Sequence, residues 1–218
     1  MFAGIADRYD VANHVLSCGL DFYWRAVAAR TARDWHPRTV LDLATGSGDL
    51  ALAIQRACPE ARVTGADFCQ PMLDHARAKG LTDLVVADGT QLPFDAATFD
   101  AVTVAFGLRN MADYPLAVSE MARVLRPGGH LLILDFALPT SPLLRGPYRF
   151  YLHHVLPGFA RWITGDRDAY QYLGGSIEQF PSGTAMESLI RTHGFTTAVT
   201  RPLTGGIVAM YTAQRADA

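Results

Sequence analysis

Hydrophobic and polar positions along this chain follow two alternating rhythms. Leu20, Trp24, Val27 and Ala28 recur at helical spacing in a segment over about 5–35, which His36-Pro37 stops. Thr39 to Leu43 is a short apolar run that reads as a buried strand, followed by a glycine-containing turn and a helix through about Ala57. The rhythm repeats with a strand over Arg62–Ala66 and a helix over Gln70–Lys79 closed by Gly80. Strands over Leu84–Ala87 and Phe99–Ala105 flank a loop containing Gln91-Leu92-Pro93-Phe94. A helix over Tyr114–Leu125, with Leu116, Met121 and Leu125 among its apolar positions, ends at Arg126-Pro127-Gly128-Gly129 and feeds the strand His130–Asp135. Strands alternating with helices predict an α/β fold with a mostly parallel sheet and helices on both faces.

Beyond residue 140 the rhythm changes. Pro142–Ile163 is aromatic and apolar and is interrupted by Pro147 and Pro157, which predicts short broken helices. A helix over Thr184–Thr192 ends at Gly194, and Phe195–Arg201 and Ile207–Thr212 read as strands joined through Pro202–Gly206. That pair predicts an antiparallel hairpin at one end of the sheet. The expected organisation is a single domain over 1–218: an N-terminal helical segment over 1–37, a core over 38–136, a small helical lid insertion over 140–180, and a C-terminal helix and strands over 181–218.

Composition narrows the class. Half of the 218 residues are hydrophobic and 18% are charged, enough to bury a core. Nineteen basic against 21 acidic residues leave a net charge of −2, with no basic excess to hold a phosphate backbone, so nucleic acid is not an expected partner. Cys18, Cys58 and Cys69 form no C-x-x-C pair and suit small buried positions in a reducing cytoplasm; no metal site is expected. Met1–Asp10 carries charges and no apolar stretch of a secretory signal, and no run approaches the roughly 20 apolar residues that span a bilayer. The expectation is a cytoplasmic protein that at most rests on the inner face of a membrane.

The strongest local chemistry lies in Val40-Leu41-Asp42-Leu43-Ala44-Thr45-Gly46-Ser47-Gly48-Asp49. A strand running into Gly-x-Gly lets a ligand approach the backbone closely, and the helix that follows presents free N–H groups at the turn. Ala51 completes G-x-G-x-x-A, so the turn alone also fits a dinucleotide. Asp67 ends the second strand 21 residues after Gly46, where a carboxylate can accept both ribose hydroxyls of a nucleoside, although it could equally cap the helix from Gln70. Asp88-Gly89 follows the third strand at the same edge, where a solvated turn is the plainer alternative. Asp42, Asp67 and Asp88, with no basic residue in the glycine turn, favour a cationic sulfonium without phosphate, S-adenosylmethionine, over a pyrophosphate cofactor. Ala44, Gly46, Ser47, Gly48, Phe68, Met72 and Ala105 complete the candidate cofactor set.

The ordered segments LDLATGSGDLA, GADFCQPML, ADGTQLPFDAATFDAVTVAFGLRN and RVLRPGGHLLILDF resemble class I methyltransferases across residues 38–136. Within that class the chain resembles the ubiquinone/menaquinone biosynthesis C-methyltransferase family. The run Ile5–Asn13, FGLRN, YQYLGGSIEQFP and the closing LTGGIVAMY stand in that family's order, and FGLRN and the closing segment are far more specific than the glycine turn. The resemblance implies a Rossmann-like, seven-stranded, mostly parallel sheet with an antiparallel last strand. It places adenosylmethionine contacts on Ser47, Asp67, Asp88-Gly89 and Ala105. Two positions depart from the pattern: Ala44-Thr45-Gly46-Ser47 stands where Ala-Gly-Gly-Thr is common, and Ala105 where Ser is frequent. The chain also starts almost at the Tyr9 motif, so the usual N-terminal extension is expected to be short or missing.

The implied reaction is methyl transfer to a ring carbon of a polyprenyl quinol. Ionising a phenol of pKa near 10 at pH 7 costs about 4 kcal/mol, of which a guanidinium within about 4–6 Å removes roughly 1–3 pKa units. Arg109 is the candidate for that role as a stabilising cation rather than a base, with Tyr9 and Asp88 holding the hydroxyl or a water beside it and Asn110 orienting the ring. Tyr148, Phe150, Tyr151, Leu152, Val155 and Leu156 are candidates for a prenyl-binding wall, His153 and His154 for a lid or core role, and Arg145, Arg149 and Arg161 for a membrane interface. Plain packing, a structural salt bridge for Arg109 and a packing role for Tyr9 stand as alternatives. A methyltransferase for another small apolar acceptor, a nucleotide-binding oxidoreductase and a non-enzymatic adenosylmethionine binder share the glycine turn. A homodimer is compatible with all of these readings.

Overall fold

The backbone of β1 (Thr39–Leu43) is buried from Val40 onward, because its side chains are covered on both faces rather than one. It pairs in parallel with β2 (Arg62–Asp67) on one side and β4 (Phe99–Ala105) on the other. The structure is a computed structural model describing residues 17, 19–155 and 168–217. Strand β3 (Leu84–Val86) extends the sheet beyond β2, β5 (Leu125–Phe136) extends it beyond β4, and both are parallel to their neighbours. The last two strands, β6 (Phe195–Leu203) and β7 (Val208–Arg215), form the expected hairpin, and β7 inserts antiparallel between β5 and β6. The seven strands therefore run β3-β2-β1-β4-β5-β7-β6. Chain order reverses between β1 and β4, which opens a crevice at their carboxyl ends.

Alternate residues of the central strands build two cores. Leu41, Leu43, Val102, Val104, Leu131 and Ile133 face the helices α4 (Tyr114–Val124) and α7 (Thr184–Thr192), reached through Val118, Met121, Met186 and Ile190. Val40, Ala101, Leu132 and Leu134 face α1 (Leu20–Asp34) and α2 (Asp49–Ala57). The remaining helices are α3 (Gln70–Ala78), α5 (Pro142–Phe150) and α6 (Asp168–Gln179). Trp24 ties α1 to the second core: it is buried, meets Phe136 edge-on at 6.1 Å, and its Nε1–H donates to Thr204 Oγ1 at 2.7 Å.

Four local expectations are corrected. The described part of the first helix starts at Leu20 behind Gly19, whose φ of 75° breaks any continuous helix over 5–35. Leu116 lies on the solvent side of α4, which Ala117, Val118 and Met121 bury instead. Arg126–Gly129 does not separate helix from strand, because β5 already begins at Leu125. These four residues oppose the single residue Asp100 as a bulge, between the pairs Phe99↔Leu125 and Ala101↔His130. Asp100 holds the bulge by pairing with Arg126 and accepting the backbone N–H groups of Arg38 and Thr39, each at 2.9 Å. Pro147 lies inside α5 rather than breaking it; that helix has no buried residue, so water can serve the carbonyl left without an N–H partner. The chain continues through one π turn, Tyr151–Val155, and α6 packs on that turn with Gly174 facing Leu152 and His153.

Truncating Trp24 removes the ring that spans α1, Phe136 and the turn before β7. Trp24→Ala is expected to cost about 3–5 kcal/mol in equilibrium denaturant unfolding, whereas a change below about 1 kcal/mol would show that α1 is not docked through this residue.

Candidate active site

The glycine turn after β1 is set by backbone conformations that few residues adopt. Ala44, Gly46 and Gly48 all have positive φ, at 52°, 56° and 85°. The chain reaches them because Asp42, itself only 1% exposed, accepts Thr45 Oγ1–H at 2.7 Å and Thr103 Oγ1–H at 2.6 Å, joining the turn to β4. Burial pushes the Asp42 carboxyl up to about 6 against the lowering effect of these hydroxyls and of Arg25. Among the candidate cofactor residues Asp42 thus lies beneath the turn, its oxygens directed to protein partners. Across the crevice the turn touches the β4 exit: a Cβ on Gly107 would lie 2.4 Å from the Ala44 Cβ.

Asp67 ends β2 beside this turn. Its Oδ2 accepts Gly46 N–H at 2.8 Å and its Oδ1 accepts Cys69 N–H at 2.8 Å, while burial raises its pKa above the usual carboxylate value. Each oxygen keeps a lone pair for a further donor. Phe68 next to it is 78% exposed, and buried Met72 packs under Gly46, its Cε 3.4 Å from where a Cβ would stand. Ser47 is nearly buried and accepts from Lys79 Nζ at 2.9 Å; the same ammonium pairs with Asp49 at 2.7 Å. Arg25 arrives from α1, pairs with Asp21, comes within 3.9 Å of Asp49 and lies over the Phe106 ring at 5.5 Å. The turn sequence holds no cation, yet the fold supplies two. Helical periodicity marks Arg25 only as a surface position, so no local signal could have found it.

At the end of β3, Asp88 is exposed, and Thr90 donates to its Oδ1 through both N–H at 2.8 Å and Oγ1–H at 2.7 Å. Those bonds hold its carboxyl below the usual range, so it is ionised at neutral pH. Gly89 is buried where a Cβ would meet Met111 Sδ at 2.8 Å. Ala105, half-buried, ends β4, and Phe106 at φ 59° turns the chain into the single 3-10 turn Leu108–Asn110.

Arg109, on that turn, is not a free cation. Its side chain is 5% exposed, and Nη1 donates to Asp135 Oδ1 at 2.6 Å and to the Phe106 carbonyl at 2.7 Å. Its guanidinium carbon lies 5.2 Å from the centre of the Phe136 ring. Asn110 Nδ2 reaches the same Phe106 carbonyl at 3.4 Å. Nearby, Phe136, Leu138, Tyr148 and Tyr151 pack around Leu152 and Ile177, forming an apolar, aromatic cluster from β5, α5, the π turn and α6. Burial pushes the Tyr148 phenol above its usual range. Asp135 read only as a strand end in the sequence, since its partner lies 26 residues away. Tyr9 and Arg161 fall outside the described residues. His153 and His154 are both exposed; His153 Nε2 lies 3.2 Å from Glu178, which also accepts Arg149 Nε–H at 2.6 Å.

A parallel sheet with a glycine turn at the reversal of strand order and an antiparallel hairpin beyond its last parallel strand defines a class I methyltransferase. The likeness extends to solved structures: a SAM-dependent methyltransferase from Thermotoga maritima superposes with a TM-score of 0.66 over 98% of both chains at 15% identity. Human N-acetylserotonin methyltransferase in complex with SAM gives 0.65 over 99% of this chain and 59% of the human chain, at 19% identity. The particular family follows from sequence: residues 1–215 match the ubiE/COQ5 methyltransferase family, and the chain belongs to it. It is 45% identical to the demethylmenaquinone methyltransferase of Deinococcus radiodurans over 97% of this chain and 89% of that one. It is 44% identical to the protein of the same name from Thermus thermophilus, over 99% of this chain and 100% of that one. It is also 43% identical to the ubiquinone/menaquinone biosynthesis C-methyltransferase UbiE of Syntrophotalea carbinolica, over 99% and 92%.

Two consequences of this geometry can be measured. Gly107→Ala is expected to cost about 1–3 kcal/mol by overpacking, and Ala44→Gly is expected to restore most of it in the double variant. Equal losses in the single and double variants would show that the two turns do not touch. Asp42 titrates near 6 when folded and near 3.8 when unfolded, so the folded state binds its proton more tightly. Its contribution is therefore fully present below about pH 4 and is lost as pH rises through 6. Relative to Asp42→Asn, the wild-type protein should gain about 2 kcal/mol between pH 7.5 and 4.5. A difference independent of pH would place the Asp42 carboxylate in water.

Proposed function

We propose that this chain methylates a ring carbon of a prenylated hydroquinone, with S-adenosylmethionine as the donor and a demethylated menaquinol as the foremost acceptor. The observation that carries this reading is the placement, on one sheet edge, of a nucleoside-type cradle beside an aromatic cluster holding a buried arginine. The cradle residues fit the donor. Gly46 and Gly48 take the positive φ that the turn requires, and at Gly48 a Cβ would press on Ala76 at 3.1 Å; Asp67 has acceptor capacity for ribose hydroxyls, and Phe68 offers a ring face to adenine. Asp88, Gly89 and Ala105 line the same edge, and Ser47 joins the Gly turn to Lys79. When bound, S-adenosylmethionine supplies an electrophilic methyl group on a cationic sulfur.

The remaining chemistry belongs to the protein. Arg109 stabilises negative charge developing on the ring oxygen, Asp88 stays ionised to accept from the acceptor's hydroxyl or a bridging water, and Asn110 and Tyr9 orient the ring. Phe136, Leu138, Tyr148 and Tyr151 exclude water from the apolar acceptor, and the segment over 140–180 serves as the lid. Alignment of the ring carbon with the donor supplies up to about 7–11 kcal/mol of the barrier lowering. The relatives support the acceptor class: two carry the name demethylmenaquinone methyltransferase, and the third name spans ubiquinone as well, which makes a benzoquinol the second reading. No helix among the described residues is long and apolar enough to cross a membrane. Leu143 (85% exposed) and Phe150 share one face of α5 with Leu144 beside it, an apolar face suited to resting on a bilayer while the enzyme collects a lipid substrate, whereas Arg145 and Arg149 stand on the other side, where they meet the Pro139 carbonyl and Glu178.

Single-turnover transfer of labelled methyl from S-adenosylmethionine to reduced, short-chain demethylmenaquinol is expected to place the label on a ring carbon. Label on oxygen, or none despite bound donor, would refute the reading. Asp67→Ala is expected to weaken donor binding about 10- to 100-fold, the worth of one hydrogen bond to a charged group, as read by calorimetry.

A further inference from the structure

Arg109 carries five N–H donors in a rigid planar fork, and its buried Nε–H has no acceptor among the described residues. The rest of the group is tightly specified. Nη1 bridges Asp135 and the Phe106 carbonyl, and the Arg109 backbone N–H approaches Asp135 Oδ2 at 3.5 Å. Asp135 is fully buried, and its Oδ1 also accepts the N–H of Phe136 at 2.8 Å, so its own backbone fixes the carboxylate. A guanidinium pinned at one nitrogen by two acceptors cannot turn to satisfy another, because the fork is planar. Native interiors rarely leave such a donor unmade, and an orphan of this kind calls for a functional explanation. Beside it stand the Phe136 ring and Tyr148, an apolar, aromatic surrounding whose chemistry suits an aromatic ring bearing an oxygen acceptor.

We infer that the Arg109–Asp135 pair is a fixed anchor for the acceptor's ring oxygen. Asp135 acts as the positioning residue that pins the guanidinium and leaves Nε–H as the donor offered to substrate. This inference rests on the reading of the site as a quinol C-methyltransferase and specifies which atom meets the quinol. The pair carries no net charge, so it can receive a neutral hydroxyl without burying an unpaired ion, and its directed N–H strengthens as that oxygen gains negative charge. A lysine at 109 would keep a cation next to Asp135 and lose the planar fork. Direction therefore distinguishes this anchor from a role for Arg109 as bulk positive charge or as a structural ion pair.

The test compares wild type, Arg109→Lys and Asp135→Asn, with short-chain demethylmenaquinol as the probe. Three readouts are taken: kcat and KM for the quinol, donor affinity by calorimetry, and quinol affinity with S-adenosylhomocysteine in place of the donor. Arg109→Lys is expected to lower kcat on the order of 10²–10³-fold, as removal of an oxyanion donor does. Its donor affinity should stay within about threefold of wild type, with thermal unfolding still cooperative. Asp135→Asn is expected to lower kcat in the same direction and to weaken the quinol in the dead-end complex, again sparing donor affinity. Arg109→Lys retaining a third or more of wild-type kcat would overturn the anchor, since charge or structure alone would then suffice. Loss confined to stability in Asp135→Asn, with kcat intact in the folded fraction, would also overturn it. Failure of the wild-type protein to transfer at all would instead refute the quinol reading on which the anchor rests.

Discussion

The carboxylate of Asp42, sealed between β1 and β4, is the constraint on which the carboxyl edge of this sheet depends. Chain order reverses between these two strands, so loops leaving them diverge and a crevice must open there. Burying an ionisable group at that point is unfavourable unless it is fully hydrogen-bonded. Asp42 meets the condition by accepting the hydroxyls of Thr45, in the turn, and Thr103, on the facing strand. The glycine turn is consequently fixed to β4 before any ligand arrives, and the Ala44–Gly107 contact holds the two loop bases at van der Waals distance. Every candidate donor or acceptor group on the edge takes its position from that joint.

One strand further along, the sheet repeats the device with a different partner. Asp135 near the end of β5 is as buried as Asp42, but it pairs with a guanidinium that the β4 exit supplies. Between these two inward carboxylates lie Ala105 and Phe106, and beyond β1 lies Asp67, the carboxylate of the set that retains capacity at the turn. The edge thus holds these buried polar groups in fixed orientation, each carboxylate matched by hydroxyls or by a guanidinium. Preorganised dipoles in a dry site need no reorganisation as charge develops, and that is the condition under which they lower a barrier most.

Much of this was legible in sequence because it is local. Strand and helix limits from β1 through β4 fell within about two residues, since buried parallel strands and glycine-closed helices write their boundaries into a few neighbouring positions. The glycine turn and Asp67 were visible for the same reason. What sequence did not carry depends on distant partners. Arg126–Gly129 reads as a turn, and only pairing with Asp100 makes it a bulge inside a strand. Leu116 has the right spacing for burial, yet the core engages the neighbouring stripe of α4. Pro147 signals a break, but an exposed helix tolerates it. Arg25, Lys79 and Asp135 had no signature, because their roles arise from residues 24, 32 and 26 positions away.

That division has a functional corollary. The proposed donor half of the site is built from one strand, one turn and the end of the next strand, and the fold that carries these elements recurs in structures that share under 20% identity with this chain. The acceptor half is assembled from the exits of β4 and β5 and from helices that follow residue 140, elements far apart in sequence. On that reading a change of acceptor falls to the helices after residue 140 and to the partner of the β4 guanidinium, while the Asp42 joint stays as it is. On the proposed reading, specificity in this chain is decided after β5, where the apolar residues beyond 140 would choose the shape of the ring and the Asp135–Arg109 pair the atom that meets it.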